Sequence, residues 1–208
     1  EPMGESEAVD LDLVRGARKG LGDEATLLVD AGCVWDARTA LRRAERFAEY
    51  NIEWLEEALQ QADVDGYRWL RDRSPVPIAA GEGECGAESF RSLIDKHALD
   101  VYQVDLPRNG FIDASYIRRR VEEIGARPCN HCYTSPITVA AHRFQIGVAG
   151  DHPKPVERRP ERRARAPGIG PGQQGEQGML GHRIRHRVDG REDYDVFGVP
   201  LVGEGIVA

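Results

Sequence analysis

The 208-residue sequence lacks long apolar runs and a leader-like start. No stretch of 18 apolar residues occurs, so the sequence predicts no membrane-spanning helix. The opening residues Glu1-Pro2-Met3-Gly4-Glu5 lack the basic and apolar regions of a signal peptide. We therefore expect a cytoplasmic protein without a membrane partner.

An excess of basic residues is also missing. The chain has 28 Lys and Arg against 35 Asp and Glu, with a net charge of −7. Because nucleic-acid affinity comes mainly from clustered basic residues, we expect no nucleic-acid partner. The stretch Arg158–Arg165 is the basic exception, and Pro160 within it favours a solvated, irregular run. A nucleic-acid-binding tail stays open as an alternative, which predicts salt-sensitive binding that disappears when residues 146–208 are removed.

Cysteine is scarce and poorly spaced for a zinc site. Cys129 and Cys132 form one close pair, but Cys33 and Cys85 lie 52 residues apart. A structural zinc site normally uses two close pairs, so we expect reduced, buried cysteines. We expect His142, on a predicted helix, to lie at the surface.

Glycine and proline divide the chain in two. They make up 17 of the first 145 residues but 18 of the last 63. Such a composition is typical of disordered or low-complexity chain. We therefore predict a packed domain over residues 1–145, followed by a tail, residues 146–208, that is disordered or non-native.

The packed part alternates strand and helix patterns. The five predicted strands are Thr26–Val29, Ile52–Leu55, Val76–Ala80, Val101–Val104 and Ala126–Asn130. Apolar residues at helical spacing lie between them, including a helix behind Asp36 and another behind Asp113. Two more helices are predicted, Val9–Arg18 before the strands and Pro136–Phe144 after them. This alternation predicts right-handed βαβ units and a parallel sheet.

Each predicted strand is followed or closed by an ionisable residue at a nearly constant interval. These residues are Asp30, Glu56, Glu82, Asp105 and His131, with spacings of 26, 26, 23 and 26 residues. No G-x-G-x-x-G or P-loop motif follows any of the strands, which disfavours a doubly wound nucleotide-binding sheet. Ionisable residues at successive strand ends favour a (β/α)8 barrel, whose active site lies at those ends. Five to six βα units of such a barrel are visible.

The first three of these residues suggest a metal site. Carboxylates held close together repel one another unless a cation lies between them, and Mg²⁺ prefers such oxygen ligands. The alternative is that each acid caps a helix or faces solvent. At the last two strand ends, Asp105 could orient His131 and raise its basicity, which would make His131 a general base.

Five segments, in order and spacing, resemble the barrel domain of the enolase superfamily, in its mandelate racemase and muconate lactonizing enzyme group. They are LLVDAG (27–32), WLEEAL (54–59), PIAAGE (77–82), VYQVDLPRNG (101–110) and NHCYTSPI (130–137). The resemblance covers about residues 5–145. It implies Mg²⁺ ligands at Asp30, Glu56 and Glu82 and a His131–Asp105 dyad. By strand alternation, the adjacent Glu57 is expected to point away from the metal.

Members of this group abstract the proton α to a carboxylate and then racemise or dehydrate, most often acting on acid sugars. The resemblance thus implies a dehydratase or racemase/epimerase for a small carboxylate substrate, homo-oligomeric in the complete enzyme. Gly32 and Ala58 depart from the family's usual Asn and Pro. The family's other acid/base residue, usually a Lys, and its capping domain have no counterpart here, so we expect a truncated chain with little or no activity. The alternative is a non-catalytic metal-binding or scaffold remnant.

Overall fold

The computed structural model of the chain describes residues 3–132 and 135–149, with side chains to Gln145. Over that range strands and helices alternate as predicted. The strands are β1 (Val29–Asp30), β2 (Leu55–Glu56), β3 (Ile78–Ala80), β4 (Val101–Asp105) and β5 (Arg127–His131). The helices are α1 (Glu7–Leu21), α2 (Ala37–Phe47), α3 (Val64–Arg73), α4 (Gly86–Asp95), α5 (Leu106–Glu123) and α6 (Pro136–Ala149), with a 3-10 turn at Ala48–Tyr50.

All five strands are parallel and pair in chain order, β1-β2-β3-β4-β5. A doubly wound sheet reverses its strand order, and no reversal occurs among these strands. Sequential order with a helix after each strand is the arrangement of a (β/α)8 barrel wall. This topology agrees with the predicted partial barrel.

Two apolar layers flank the sheet. A small inner cluster consists of Trp54, Ala79 and Val101, with Leu28 and Cys129 packed against it. A larger outer layer joins the helices to the alternate strand residues, such as Val29, Leu55, Ile78 and Tyr102. Since side chains alternate along a strand, residues two positions after the inner cluster lie on the same face of the sheet, and the predicted site residues are among them.

The first two strands are shorter than predicted and lie further along the chain. The guanidinium of Arg18, in α1, donates to the carbonyls of Ala25 and Asn51, just before the two strands. Those carbonyls are therefore satisfied by a side chain. Ladder bonds follow: Glu53 donates to the carbonyl of Leu27, and Val29 to that of Trp54.

The predicted start of α5 behind Asp113 is wrong. The helix begins at Leu106, with Asp105 as its N-cap, because Pro107 fits the first turn and Asp105 accepts from the amide of Arg108. Gly110, with φ +64°, interrupts the helix four residues later. Asp113 lies within α5, where its carboxylate accepts from the amide of Ala87 at the start of α4.

Two other expectations concern the C-terminal end of the described region. Helix α6 continues to Ala149, past the predicted domain boundary, and residues 150–208 of the predicted tail lie outside the described residues. Over the described range, no helix combines the length and apolarity needed to cross a membrane.

Candidate active site at the carboxyl ends of the strands

The site residues share the inner face of the sheet. Asp30, Glu56 and His131 each lie two residues beyond a member of the inner apolar cluster, namely Leu28, Trp54 and Cys129. Strand alternation therefore directs them to the same side as that cluster, at the carboxyl end of the sheet.

A stagger of the strands brings residues at different register positions to one level. One line of paired residues runs through Asp30, Glu56, Ala79, Val101 and Arg127. Glu82 lies three residues beyond that line, and Asp105 and His131 lie four residues beyond it. Because the strands of a barrel tilt and their register shifts steadily around it, later strands need these extra residues to reach the same height.

Asp105 and His131, the predicted dyad, lie in direct contact. Asp105 and His131 are register partners, and the Oδ2 of Asp105 lies 2.8 Å from the Nδ1 of His131. The other oxygen, Oδ1, accepts from the amide of Arg108 at 3.0 Å. Asp105 is 4% exposed, so both bonds are shielded from water. A carboxylate can only accept, which assigns the proton on this side of the imidazole to Nδ1.

The second ring nitrogen of His131 faces the predicted metal carboxylates. Its Nε2 lies 3.3 Å from the Oε2 of Glu82. The imidazole thus stands between Asp105 and Glu82, and Nε2 is the atom that can take or give a proton on the side of the acidic cluster.

Electrostatic repulsion links Glu82 to the other acids. Burial, followed by the charges of Glu57, Glu56 and Asp30, raises the pKa of Glu82 to about 8. Burial and the charge of Asp30 also raise the pKa of Glu57. Within the described residues, no Lys or Arg forms an ion pair with any of these four carboxylates. They form an acidic cluster whose charge the described side chains do not neutralise.

Asp30 and Glu56 each have one oxygen bound to a protein donor. The amide of Gly32 donates to Asp30 Oδ1 at 2.9 Å, and the indole Nε1 of Trp54 donates to Glu56 Oε2 at 2.9 Å. Among residues 3–132 and 135–149, no three His, Cys, Asp or Glu side chains are arranged as a metal site. The donor chemistry nonetheless fits a hard divalent cation, because all the cluster's donors are carboxylate oxygens and they repel one another.

Sequence reasoning missed the position of Glu57. Strand alternation directs it away from the site, but its φ is +42°, and Cys33, three residues after the end of β1, also has a positive φ of +63°. The amide of Cys33 donates to the carbonyl of Glu57, which joins the two segments that follow β1 and β2. Left-handed backbone breaks the alternation, and the Glu57 carboxyl joins the cluster around Asp30. The paired glutamates Glu56 and Glu57 were the available signal.

The cysteines have no metal or redox arrangement in the described region. The expectation that all four are buried is wrong: Cys85 is exposed, and Cys33, Cys129 and Cys132 are half-buried. Burial raises the pKa of both Cys33 and Cys129 to about 11, so these thiols are protonated at neutral pH. Protonated thiols are poor nucleophiles and poor metal ligands.

The chain is similar to proteins of known family. A model of the enolase C-terminal domain-like family matches residues 2–159. L-talarate/galactarate dehydratase of Salmonella typhimurium is 37% identical over 105 residues, half of this chain and 26% of that protein.

Two solved structures show the same architecture. L-talarate dehydratase from Polaromonas sp. JS666, complexed with Mg and L-glucarate, has a TM-score of 0.64 and 31% identity, covering 73% of this chain and 41% of that one. A racemase from Streptomyces coelicolor A3(2) with bound magnesium has a TM-score of 0.60 and 25% identity, covering 62% and 36%. The chain therefore spans about a quarter to two fifths of the length of these relatives.

Proposed function

Since the chain belongs to the enolase C-terminal domain-like family, we propose that it carries the acid/base dyad and the metal-binding carboxylates of an enzyme that removes the proton α to a carboxylate of an acid sugar. The outcome would be dehydration or racemisation/epimerisation. The contacts of His131 with Asp105 on one side and Glu82 on the other carry the proposal. They connect a general base to a cluster of carboxylates that no described Lys or Arg pairs with.

Asp30, Glu56 and Glu82 would hold the metal, and Mg²⁺ is the ion that their oxygen donors favour. When bound, Mg²⁺ would stabilise the negative charge that develops on the substrate carboxylate as the α-proton leaves. Glu57 keeps its carboxyl close to Asp30 and adds to the negative potential that attracts a cation.

His131 would take the substrate proton at Nε2. Asp105 holds the ring by Nδ1 and stabilises the imidazolium that forms, while its second oxygen is fixed by the amide of Arg108. In a dehydration, the protonated His131 would then assist the departure of the 3-hydroxyl as an acid.

Calorimetry with Mg²⁺ tests the metal half of the proposal. We expect the chain to bind Mg²⁺ and the double variant Glu56→Gln, Glu82→Gln to lose at least 100-fold in affinity, because two anionic ligands are removed without a change of shape. Glu122→Gln is the matched control, since Glu122 is an exposed acid on α5. Wild-type chain without measurable Mg²⁺ binding would exclude the proposed site.

Exchange of the α-proton of galactarate in D2O tests the dyad. The lysines of the described region, Lys19 and Lys96, lie in α1 and just after α4, so no lysine there faces His131. We therefore expect at most slow exchange by this chain, abolished in His131→Asn. Turnover at ordinary enzymatic rates, or exchange that survives His131→Asn, would contradict this account.

A second candidate is a metal-binding or scaffold remnant without catalysis. The observation in its favour is that no three described His, Cys, Asp or Glu side chains are arranged as a metal site. Tight Mg²⁺ binding together with a complete lack of exchange would favour the remnant over the enzyme.

A further inference from the structure

The loop that carries Glu82, residues 81–86, lies between β3 and α4. Because β3 ends at Ala80, Glu82 lies outside the strand, whereas Asp105 and His131 lie within paired strands. Three of the six loop residues are glycine, and the loop contains a turn in which the amide of Glu84 donates to the carbonyl of Gly81. Glycine loses more conformational freedom on ordering than other residues, so the position of this loop depends on contacts with its neighbours.

Asn109, in the first turn of α5, makes three such contacts. Its side chain is buried, and its Oδ1 accepts from the amide of Gly86 at 2.8 Å. Its Nδ2 donates to the carbonyl of Glu84 at 3.3 Å and to the carbonyl of Asp105 at 2.8 Å. Since a backbone amide only donates and a carbonyl only accepts, these partners fix the orientation of the carboxamide. One side chain therefore joins the Glu82 loop to the residue that orients His131.

The start of α4 also depends on α5. Its N-cap residue, Cys85, makes no capping hydrogen bond with its side chain. The first two amides of the helix instead donate to the side chains of Asn109 and Asp113. The thiol of Cys85 donates to the carbonyl of Arg108 at 3.2 Å. The second half of the loop is thus held by α5, whose first turn begins directly after Asp105.

We propose that Asn109 is a positioning residue of the site, which sets the distance between the carboxyl of Glu82 and the imidazole of His131. This role rests on the proposed function, in which Glu82 holds the metal and His131 takes the proton. A metal ligand and a base act on the same substrate only when their separation is held to within about 0.5 Å. Asn109 supplies that restraint through the backbone on both sides, without contact with substrate or metal.

NMR of the full 208-residue chain in EDTA tests this role without metal or activity. The Nε2 of His131 lies 3.3 Å from the Oε2 of Glu82, so an NOE should join the ring protons to the side-chain CH2 of Glu82. We expect Asn109→Leu, which has a similar volume and no polar atoms, to lose this NOE. Ser74→Ala is the matched control, because Ser74 is a buried neutral residue bonded to Val76 before the other end of β3. It should keep the NOE.

An NOE of wild-type strength in folded Asn109→Leu would overturn the proposal, and so would its loss in Ser74→Ala. If Asn109→Leu does not fold, Asn109→Asp decides. It keeps the acceptor for the amide of Gly86 and replaces the donor Nδ2 by an oxygen that faces two carbonyls. We expect the same loss of the NOE, and wild-type strength in folded Asn109→Asp would contradict the role.

Calorimetry with Mg²⁺ adds a second readout. We expect the affinity to fall about tenfold in Asn109→Leu, as for other residues that orient a metal ligand, and to stay at the wild-type value in Ser74→Ala. Equal affinities in wild type and Asn109→Leu would overturn the positioning role. Wild-type chain that binds no Mg²⁺ would instead overturn the proposed metal site, and the NOE comparison in EDTA would still decide the role of Asn109.

Discussion

At the β4–β5 end of the sheet the ionisable side chains satisfy one another, whereas at the β1–β3 end they repel. Asp105 and His131 are joined at 2.8 Å, and Asp105 also caps α5. At the other end of the site, burial and the charges of Glu57, Glu56 and Asp30 raise the pKa of Glu82 to about 8, and no described Lys or Arg forms an ion pair with it. The first region is held together by hydrogen bonds within the protein, and the second is a group of mutually repelling carboxylates.

The backbone differs in the same way. β4 and β5 pair over five consecutive residues, from Val101 with Arg127 to Asp105 with His131. β1 and β2 have two register pairs, and the backbone φ is positive shortly after each of them, at Cys33 and at Glu57. Positive φ at non-glycine residues costs about 1 kcal/mol or more and is found where function requires an unusual side-chain direction. The regularly paired strands β4 and β5 thus position the dyad, and the acidic cluster lies where the backbone after β1 and β2 has positive φ.

The largest effect should come from Asp105→Ala, which disrupts the hydrogen-bonded region at the ends of β4 and β5. It removes the cap of α5 and the bond to His131, so we expect a loss of about 2 kcal/mol in the free energy of unfolding, measured with urea. Asp105→Asn keeps the cap acceptor and should lose about half as much. Asp12→Ala, an exposed acid of α1, is the control. A change below about 0.5 kcal/mol for Asp105→Ala would contradict the structural role assigned to this residue.

The opposite sign is expected for Glu82→Gln. At pH 8.5 without divalent cations, Glu82 is largely ionised and repelled by Glu57, Glu56 and Asp30, so its neutral isostere should stabilise the chain by about 1 kcal/mol after allowance for solvent screening. At pH 5.5 wild-type Glu82 is protonated and the gain should vanish. Glu122→Gln shows what loss of a surface acid does. Destabilisation at pH 8.5 would mean that the acids do not repel.

The smallest effect is the pH dependence of the wild type. Because the pKa of Glu82 is raised on folding, the folded chain binds more protons than the unfolded chain up to about pH 8, and stability falls as pH rises through that range. Between pH 6.5 and 8.5 in EDTA, we expect the melting temperature to fall by about 2 °C. Mg²⁺ should remove the decrease if it occupies the acidic cluster. An equal decrease with and without Mg²⁺ would separate the cluster from metal binding.

Sequence alone predicted the strand order of the functional residues well, for a geometric reason. In parallel βα units every strand ends at the same edge, so an ionisable residue at each end had to lie near the others. Asp105 and His131 met directly because their strands are neighbours. The five predicted strands all occur, with shifts of one to three residues at most ends.

The wrong predictions from the sequence concern residues whose positions depend on contacts between segments far apart in the chain. Strand alternation failed at Glu57 because its backbone is left-handed directly after β2, where its carbonyl accepts from the amide of Cys33. His142 was expected at the surface but is buried, because α6 packs that side of the helix against α5 and β5. Asp113 was expected to cap its own helix and instead accepts from the amide of Ala87, on another helix.

The sequence by itself determined the layered βα architecture and the acids and the histidine at the strand ends, because these depend on short-range periodicity and on spacing along the chain. The family was indicated by the resemblance of five sequence segments. The tertiary structure decided which groups satisfy one another. Its stagger of tilted strands brought His131 within 3.3 Å of Glu82, and the left-handed backbone at Glu57 brought that carboxyl close to Asp30. Those outcomes depend on distances between residues far apart in the chain, which packing fixes and a linear pattern does not encode.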